Sequence, residues 1–292
     1  MKNNRSTIAD SHAQFPKYTG LVCLLTILIS LFPKAELFAQ GSMLLTPKRV
    51  IFEGTKNSES INLANLGKDT ALYMISLVEY KMKEDGGFEE ITQKEAGQFS
   101  AVPYIRFFPR TVTLAPNEAQ VIRMQLNKKP GQMASGEYRS HLYVRAVPKA
   151  IPLGEKETNE SSTIGVKLVP VFGVSIPVII RVGESRTAAS ITGLSITTTK
   201  DPNNLNLMLN RSGNMSIYGD IYVKHISPTG KSTVVAVVKG LAVYAPNTIR
   251  YVTLPLNKTL DVNYHNGKLV TQFINGSDSK DKKIVESELA LY

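Results

Sequence analysis

Residue types that commonly carry chemistry are sparse and scattered in this chain. Beyond residue 40 there are three histidines, His141, His225 and His265. None has the short spacing that puts two imidazoles on one metal ion, so structural or surface histidines are the simpler reading. The single cysteine, Cys23, falls in an N-terminal apolar run. The rest of the chain therefore has no disulfide, no thiolate metal site and no thiol nucleophile. Neither a G-x-S-x-G elbow nor a G-x-x-x-x-G-K-[ST] phosphate loop is present. Glu84-Asp85-Gly86-Gly87 lacks the D-x-D-x-D spacing of a calcium loop and reads as a plain hairpin turn. Tyr104–Arg110 (YIRFFPR) interleaves basic and aromatic residues as single-strand nucleic-acid binders do, but alternation along a β-strand gives the same order. These observations predict no cofactor, no metal, no small-molecule substrate and no nucleic acid, and nothing points to an enzyme.

The elements that would position any site are strands. From Met43 onward, apolar runs rich in Val, Ile, Leu, Tyr and Phe are separated by Gly, Pro, Asn and Asp clusters. In the first half, strands are expected at Met43–Thr46, Arg49–Phe52, Glu59–Ala64, Ala71–Lys81, Ile105–Phe108, Thr111–Leu114, Ala119–Leu126, Tyr138–Val147 and Ile164–Val182. In Ala119–Leu126, Val121, Arg123 and Gln125 alternate with Ile122, Met124 and Leu126, the period of a strand with one face buried. Ala115-Pro116-Asn117-Glu118 marks a turn, with proline presetting φ and Asn117 following it. In the second half, strands are expected at Ala189–Thr199, Leu205–Asn210, Gly219–His225, Val234–Val243, Thr248–Leu254 and Lys268–Ile274. No stretch shows a helical period. Many short strands at this spacing predict an all-β chain of two immunoglobulin-like sandwiches in tandem. The first would span residues 40–183 and the second 187–292, with the polar segment Gly183–Thr187 between them. Lys149–Thr163 is charged and patternless, and reads as a mobile loop.

The first 40 residues read as an address. Lys2, Arg5 and Lys17 precede the apolar run Leu21–Phe32, and small Ala39 stands where a signal peptidase would cut. Twelve apolar residues are too few for a bilayer-spanning helix. Export with a mature start near Gln40 is expected, and an uncleaved anchor is the alternative that the long positive segment leaves open. Of 34 Lys/Arg and 24 Asp/Glu, four and two fall in these 40 residues, leaving a net charge of +8 on the remainder. That favours acidic partners or an anionic surface, although no basic run stands out from a mixed, solvated exterior.

Four blocks carry a resemblance. They are Leu45–Gly54 (LTPKRVIFEG), Asn65-Leu66-Gly67, Phe108–Met124 (FPRTVTLAPNEAQVIRM) and Glu137–Pro148 (EYRSHLYVRAVP). In this order and spacing the region 43–182 resembles the first domain of the periplasmic pilus-assembly chaperones of the PapD/FimC type. The second half is similar only in being rich in strands. The resemblance implies a periplasmic protein that caps a pilus-type subunit by lending it a β-strand, without nucleotide, and that meets an outer-membrane usher. It implies that Arg49 anchors the subunit's terminal carboxylate, a task suited to a guanidinium, although an ordinary strand-edge arginine is the plainer alternative. It further implies that Glu137 and Arg181 belong to a charge network between the domains, a surface pair of little energetic weight. The family's second anchor, a lysine on the final strand, is missing; Pro177 occupies that region. On the same strand Ile164, Val166, Leu168, Pro170, Phe172, Val174 and Ile176 alternate onto one face. Ile164, Val166, Leu168 and Phe172 are the residues expected to enter a subunit's groove, the other reading being that this face fills the domain's own core. A non-enzymatic structural or adhesion module of an envelope assembly is the rival function. Export makes a direct prediction: intact-mass measurement on protein from the envelope fraction should give a chain beginning near Gln40, and retention of Met1 would favour the anchored alternative.

Overall fold

In the computed structural model, which describes residues 43–93, 96–127, 133–148, 171–197, 203–258, 260, 262–276 and 283–292, alternation of residue type becomes alternation of burial. The first half contains β1 (Met43–Thr46), β2 (Val50–Phe52), β3 (Ser58–Asn65), β4 (Ala71–Val78), β5 (Tyr80–Met82), β6 (Phe88–Glu90), β7 (Ile105–Phe108), β8 (Thr111–Leu114), β9 (Ala119–Leu126), β10 (Gly136–Val147) and β11 (Gly173–Val182). Two sheets, ordered β1-β3-β9-β7 and β2-β11-β10-β4-β8, face each other. Ile61, Leu63, Ile122 and Met124 from one meet Phe52, Tyr73, Leu142, Val178 and Ile180 from the other, all essentially without solvent contact. Each such aliphatic side chain stabilises the sandwich by about 1.5–3 kcal/mol.

The second half contains β12 (Ala188–Thr197), β13 (Asn204–Ser212), β14 (Ile217–Ile226), β15 (Ser232–Val243), β16 (Ile249–Pro255), β17 (Gly267–Asn275) and β18 (Lys283–Leu291). Its sheets are β12-β13-β16 and β15-β14-β17-β18. Leu205, Leu207 and Leu209 from the first pack against Ile221, Val223 and Phe273 from the second. The chain is thus two immunoglobulin-like β-sandwiches in tandem, with the small hairpin β5–β6 projecting from the first.

Several strand bounds differ from expectation. Within the segment expected as one strand over Ile164–Val182, β11 begins at Gly173, while Ile164–Pro170 lie outside the described residues, as do the loop Lys149–Thr163 and the apolar run Leu21–Phe32. Strands β6 and β18 were not expected. Both are rich in charge (Glu89 and Glu90; Lys283, Glu286 and Glu288), which masks the apolar alternation that marks a strand in sequence. The short 3₁₀ turn Val102–Tyr104 is too brief to leave a periodic signal. Among the described residues, no helix is long and apolar enough to cross a membrane.

One buried polar residue secures the end of the first sandwich. Asn65, 1% exposed, donates its amide N–H groups to the carbonyls of Asp69, Leu114 and Ala115 at 2.8, 3.0 and 3.2 Å. Its Oδ1 accepts from Gly67 N–H at 2.9 Å, closing the Asn65-Leu66-Gly67 turn. Asn117, in the left-handed region at φ 61°, returns its N–H to the Asn65 carbonyl at 2.8 Å. Asn65→Ala removes the partner of the buried Leu114 carbonyl and of two partly buried ones, and should cost about 1–3 kcal/mol, read as a lowered urea midpoint. A shift below about 0.5 kcal/mol would mean that water replaces the amide at no loss.

Candidate functional site

Strand register decides which side chains leave the first sandwich toward the second. Tyr138, Ser140 and Leu142 of β10 point inward, so Glu137, Arg139 and His141 point outward. Cross-strand pairing sets Glu137 opposite Arg181, Arg139 opposite Ile179 and His141 opposite Pro177. Parallel pairing of β2 sets Ile51 beside Ile179. Met82, Ile179 and Ile51 then pack on Ala242, Tyr244 and Tyr218 of the second sandwich, a small apolar cluster separate from both cores.

Glu137 sits at the centre of this junction. Arg181 Nε donates to its Oε2 at 3.3 Å, Ser216 N–H donates to the same oxygen at 3.1 Å, and the Ser216 hydroxyl donates to Oε1. Arg181 also approaches Glu53 at 3.7 Å. Contrary to the expected surface pair, Glu137 is 4% exposed: the second sandwich covers it and supplies two of its donors. Ser216 is presented by two loops tied to one buried arginine. Arg211 donates to the carbonyls of Asn247, Gly213, Met215 and Pro246 at 2.6, 2.8, 2.9 and 3.1 Å. Its burial pulls the guanidinium pKa down, partly offset by Glu137. Gly213, at φ +92° and hard against the Arg186 carbonyl, allows the chain to pass there without a side chain. Neither Arg211 nor Ser216 was anticipated from sequence. The available signal was the arginine at the fourth place of the inward row Leu205, Leu207, Leu209, Arg211.

The remaining outward residues meet aromatic rings. The Arg139 guanidinium lies 4.5 Å from the Tyr244 ring centroid and donates through Nη2 to the Ala245 carbonyl at 3.5 Å. Burial lowers its pKa and pushes the Tyr244 phenol up to about 12. The Arg49 guanidinium, just ahead of β2 and half-buried, stacks 3.7 Å from the Tyr218 ring centroid. One further step of the β2–β11 register brings Arg49 beside Pro177, which has no N–H to donate.

Along β11, Ile176, Val178 and Ile180 are buried, whereas Val174 and Phe172, next on the same face, are 37% and 49% exposed. Strand β10 pairs with all of Gly173–Val182, but β2 pairs only with Val178–Ile180. Among the described residues the far edge of Gly173–Pro177 has no strand paired with it. Phe172 therefore lies at the start of an open edge; Ile164, Val166 and Leu168 lie outside the described residues. The structure brings Glu137 and Arg181 together and sets Arg49 at the same junction.

Neither a family model nor a curated protein matches the sequence. Among solved structures, the YadV chaperone is similar at TM-score 0.42 and 14% identity, over 85% of this chain and 99% of that one. The *E. coli* chaperone DraB is similar at TM-score 0.42 and 14% identity, over 85% and 97% of the two chains. The CsuC–CsuE chaperone–tip subunit pre-assembly complex of *Acinetobacter baumannii* is similar at TM-score 0.42 and 12% identity, over 84% and 97%. The first two are chaperones, and the third is a chaperone–subunit complex from chaperone-usher pili.

The buried environment of Glu137 makes a stability prediction. Glu137→Ala should cost about 3–5 kcal/mol in urea unfolding, because it leaves Arg181 and Ser216 facing an empty buried site. Glu288→Ala, which breaks the exposed Lys268–Glu288 pair at 2.8 Å, should cost about 0–1 kcal/mol. Equal effects would return Glu137 to the status of a surface charge.

Proposed function

We propose that this chain is a periplasmic chaperone that caps a β-rich, pilus-type subunit lacking one strand, and that it does so through the open edge of β11. The observation that carries this reading is the row Phe172, Val174, Ile176, Val178, Ile180. Its upper members fill the sandwich core and its lower members are exposed beside an edge with no strand paired to it among the described residues. A subunit that lacks a strand has the complementary defect: an apolar groove and unpaired backbone groups. Strand addition satisfies both at once, through main-chain hydrogen bonds and alternate side chains entering pockets. No nucleotide or catalytic group is needed. The sequence blocks that resemble the PapD/FimC-type chaperones support the same reading, together with export of the chain, domains over 40–183 and 187–292, and hand-over to an outer-membrane usher.

Arg49 is the carboxylate anchor in this reading. Its guanidinium is held against the Tyr218 ring at the junction, and a guanidinium is the side chain whose planar fork suits a bidentate contact with a carboxylate. Glu137 and Arg181 fix the two sandwiches so that Arg49 and the β11 edge face one client. An envelope structural or adhesion module is the alternative, and the proline beside Arg49, in the region where the chaperone type it resembles carries a lysine, favours it.

Co-purification with mass spectrometry separates the two: a chaperone emerges bound one-to-one to a small β-rich subunit, whereas a module emerges without one. Val174→Glu and Phe172→Glu should fold normally, since both positions are exposed, and should weaken capture at least tenfold. Arg49→Ala should weaken it roughly tenfold to a hundredfold, the effect of losing a charge-assisted contact of about 1.5–3 kcal/mol. Undiminished capture by all three variants would remove the strand-lending reading.

A further inference from the structure

The hairpin β5–β6 belongs to the first sandwich but is fastened to the second. The Glu84 carbonyl at its tip accepts from Tyr251 N–H at 2.7 Å, and the Met82 carbonyl accepts from the Asn247 amide at 2.7 Å. The Arg250 guanidinium occupies the space a side chain at Gly86 would need. Met82 is buried against Ala242 and Tyr244. Beneath this strap lies His141, 3% exposed. Three rings surround it: Tyr80 from β5 at 5.0 Å, Phe88 from β6 at 5.3 Å, and Tyr244 from the second sandwich at 6.5 Å between centroids, all edge-to-face. Its Nδ1 is buried without a hydrogen-bond partner.

We propose that the β5–β6 hairpin is a latch across the two sandwiches, and that protonation of His141 beneath it releases the latch. Among the described residues, the charged and titratable groups around the imidazole are Arg139 on its own strand, the Tyr80 phenol on β5 and the Tyr244 phenol on the second sandwich; β4 sets Val78 opposite it, followed by Glu79, whose Oε1 accepts from the Ser140 hydroxyl at 2.8 Å, while β6 contributes the ring of Phe88 and β11 sets Pro177 opposite it. Glu79 and Glu137 act on Arg139, and Arg49 acts on Tyr244. Among the described residues, the charged group that acts on the imidazole is the Arg139 guanidinium, and it opposes a second positive charge. Burial, reinforced by Arg139, pushes the His141 pKa down from 6.5 to about 3.

The direction follows from linkage. A histidine whose pKa is depressed in the closed form and ordinary in the open form stabilises the closed form fully above pH ~6.5. That contribution is lost as pH falls toward the depressed value. Within this window each pH unit lowers the closed-to-open ratio by up to about tenfold. Latching needs no client, so this inference stands apart from the chaperone reading.

Hydrogen exchange on the full exported chain tests it. After correction for intrinsic rates, protection of the Tyr251 amide and the Met82–Phe88 hairpin should fall by about ten- to a hundredfold between pH 6.5 and pH 4.5. In His141→Phe, which keeps a ring in the aromatic site, that protection should not change with pH. His141→Gln serves the same comparison should the phenylalanine fail to fold. The imidazole of the native protein, followed by NMR, should titrate well below 6.5. The proposal is overturned by equal pH dependence in wild type and variants, by none in wild type, or by an imidazole that titrates normally while the hairpin stays protected.

Discussion

A carboxylate removed from water costs several kcal/mol unless its oxygens find donors. At Glu137 the donors come from both sandwiches: Arg181 from the same sheet, and the Ser216 amide and hydroxyl from the other side. Neither sandwich alone completes the site, so the buried charge is stable only when the two halves meet in one orientation. Arg211 acts one step further back. By holding four carbonyls of the loops around Gly213–Met215 and Pro246-Asn247, it keeps Ser216 where Glu137 requires it. The apolar contacts of Ile51, Ile179 and Met82 with Tyr244 and Ala242 add attraction at the junction. Being non-directional, they do not set the angle by themselves.

The same two strands that carry this junction also carry the proposed binding edge. On β11, Arg181 closes the ion pair, Ile179 packs on the second sandwich, and Val178 and Ile180 fill the first core. Only Gly173–Pro177 has no strand paired on the side away from β10 among the described residues. The strand is thus paired on both sides at Val178–Ile180, and with β10 alone over Gly173–Pro177 among the described residues. An edge already held in extended form by one neighbour has less freedom to lose when a partner strand adds to it, which favours binding. The stack of Arg49 on Tyr218 extends the same logic to the proposed anchor, since the guanidinium is held before any client arrives.

Much of the first sandwich was legible because its strands alternate strongly. Ile122 and Met124 are buried while Val121, Arg123 and Gln125 face solvent, as the period requires. Asn65-Leu66-Gly67 stood out only as a block of the family resemblance, and nothing local revealed that the Asn65 amide would reach Leu114, 49 residues away. Strand β18 was not legible, because its charges mask an edge strand's modest apolar row. The junction was half legible. Glu137 and Arg181 were singled out by resemblance, but their burial depends on Ser216 and Arg211, residues 79 and 74 positions beyond Glu137. Such long-range donors leave no local pattern. His141 likewise reads as an unremarkable strand residue until the hairpin from Tyr80 to Glu90 folds over it.

Backbone exchange along β11 is the most direct test of strand lending. The amides of Gly173, Val174, Ser175 and Ile176 should be compared in the isolated protein and in its complex with the β-rich subunit that co-purifies. Strand addition predicts that amides directed away from β10 become strongly protected in the complex, while those of Val178–Ile180, already flanked by β2, hardly change. A complex in which Gly173–Ile176 exchange as fast as in the free protein, with protection appearing elsewhere, would contradict it.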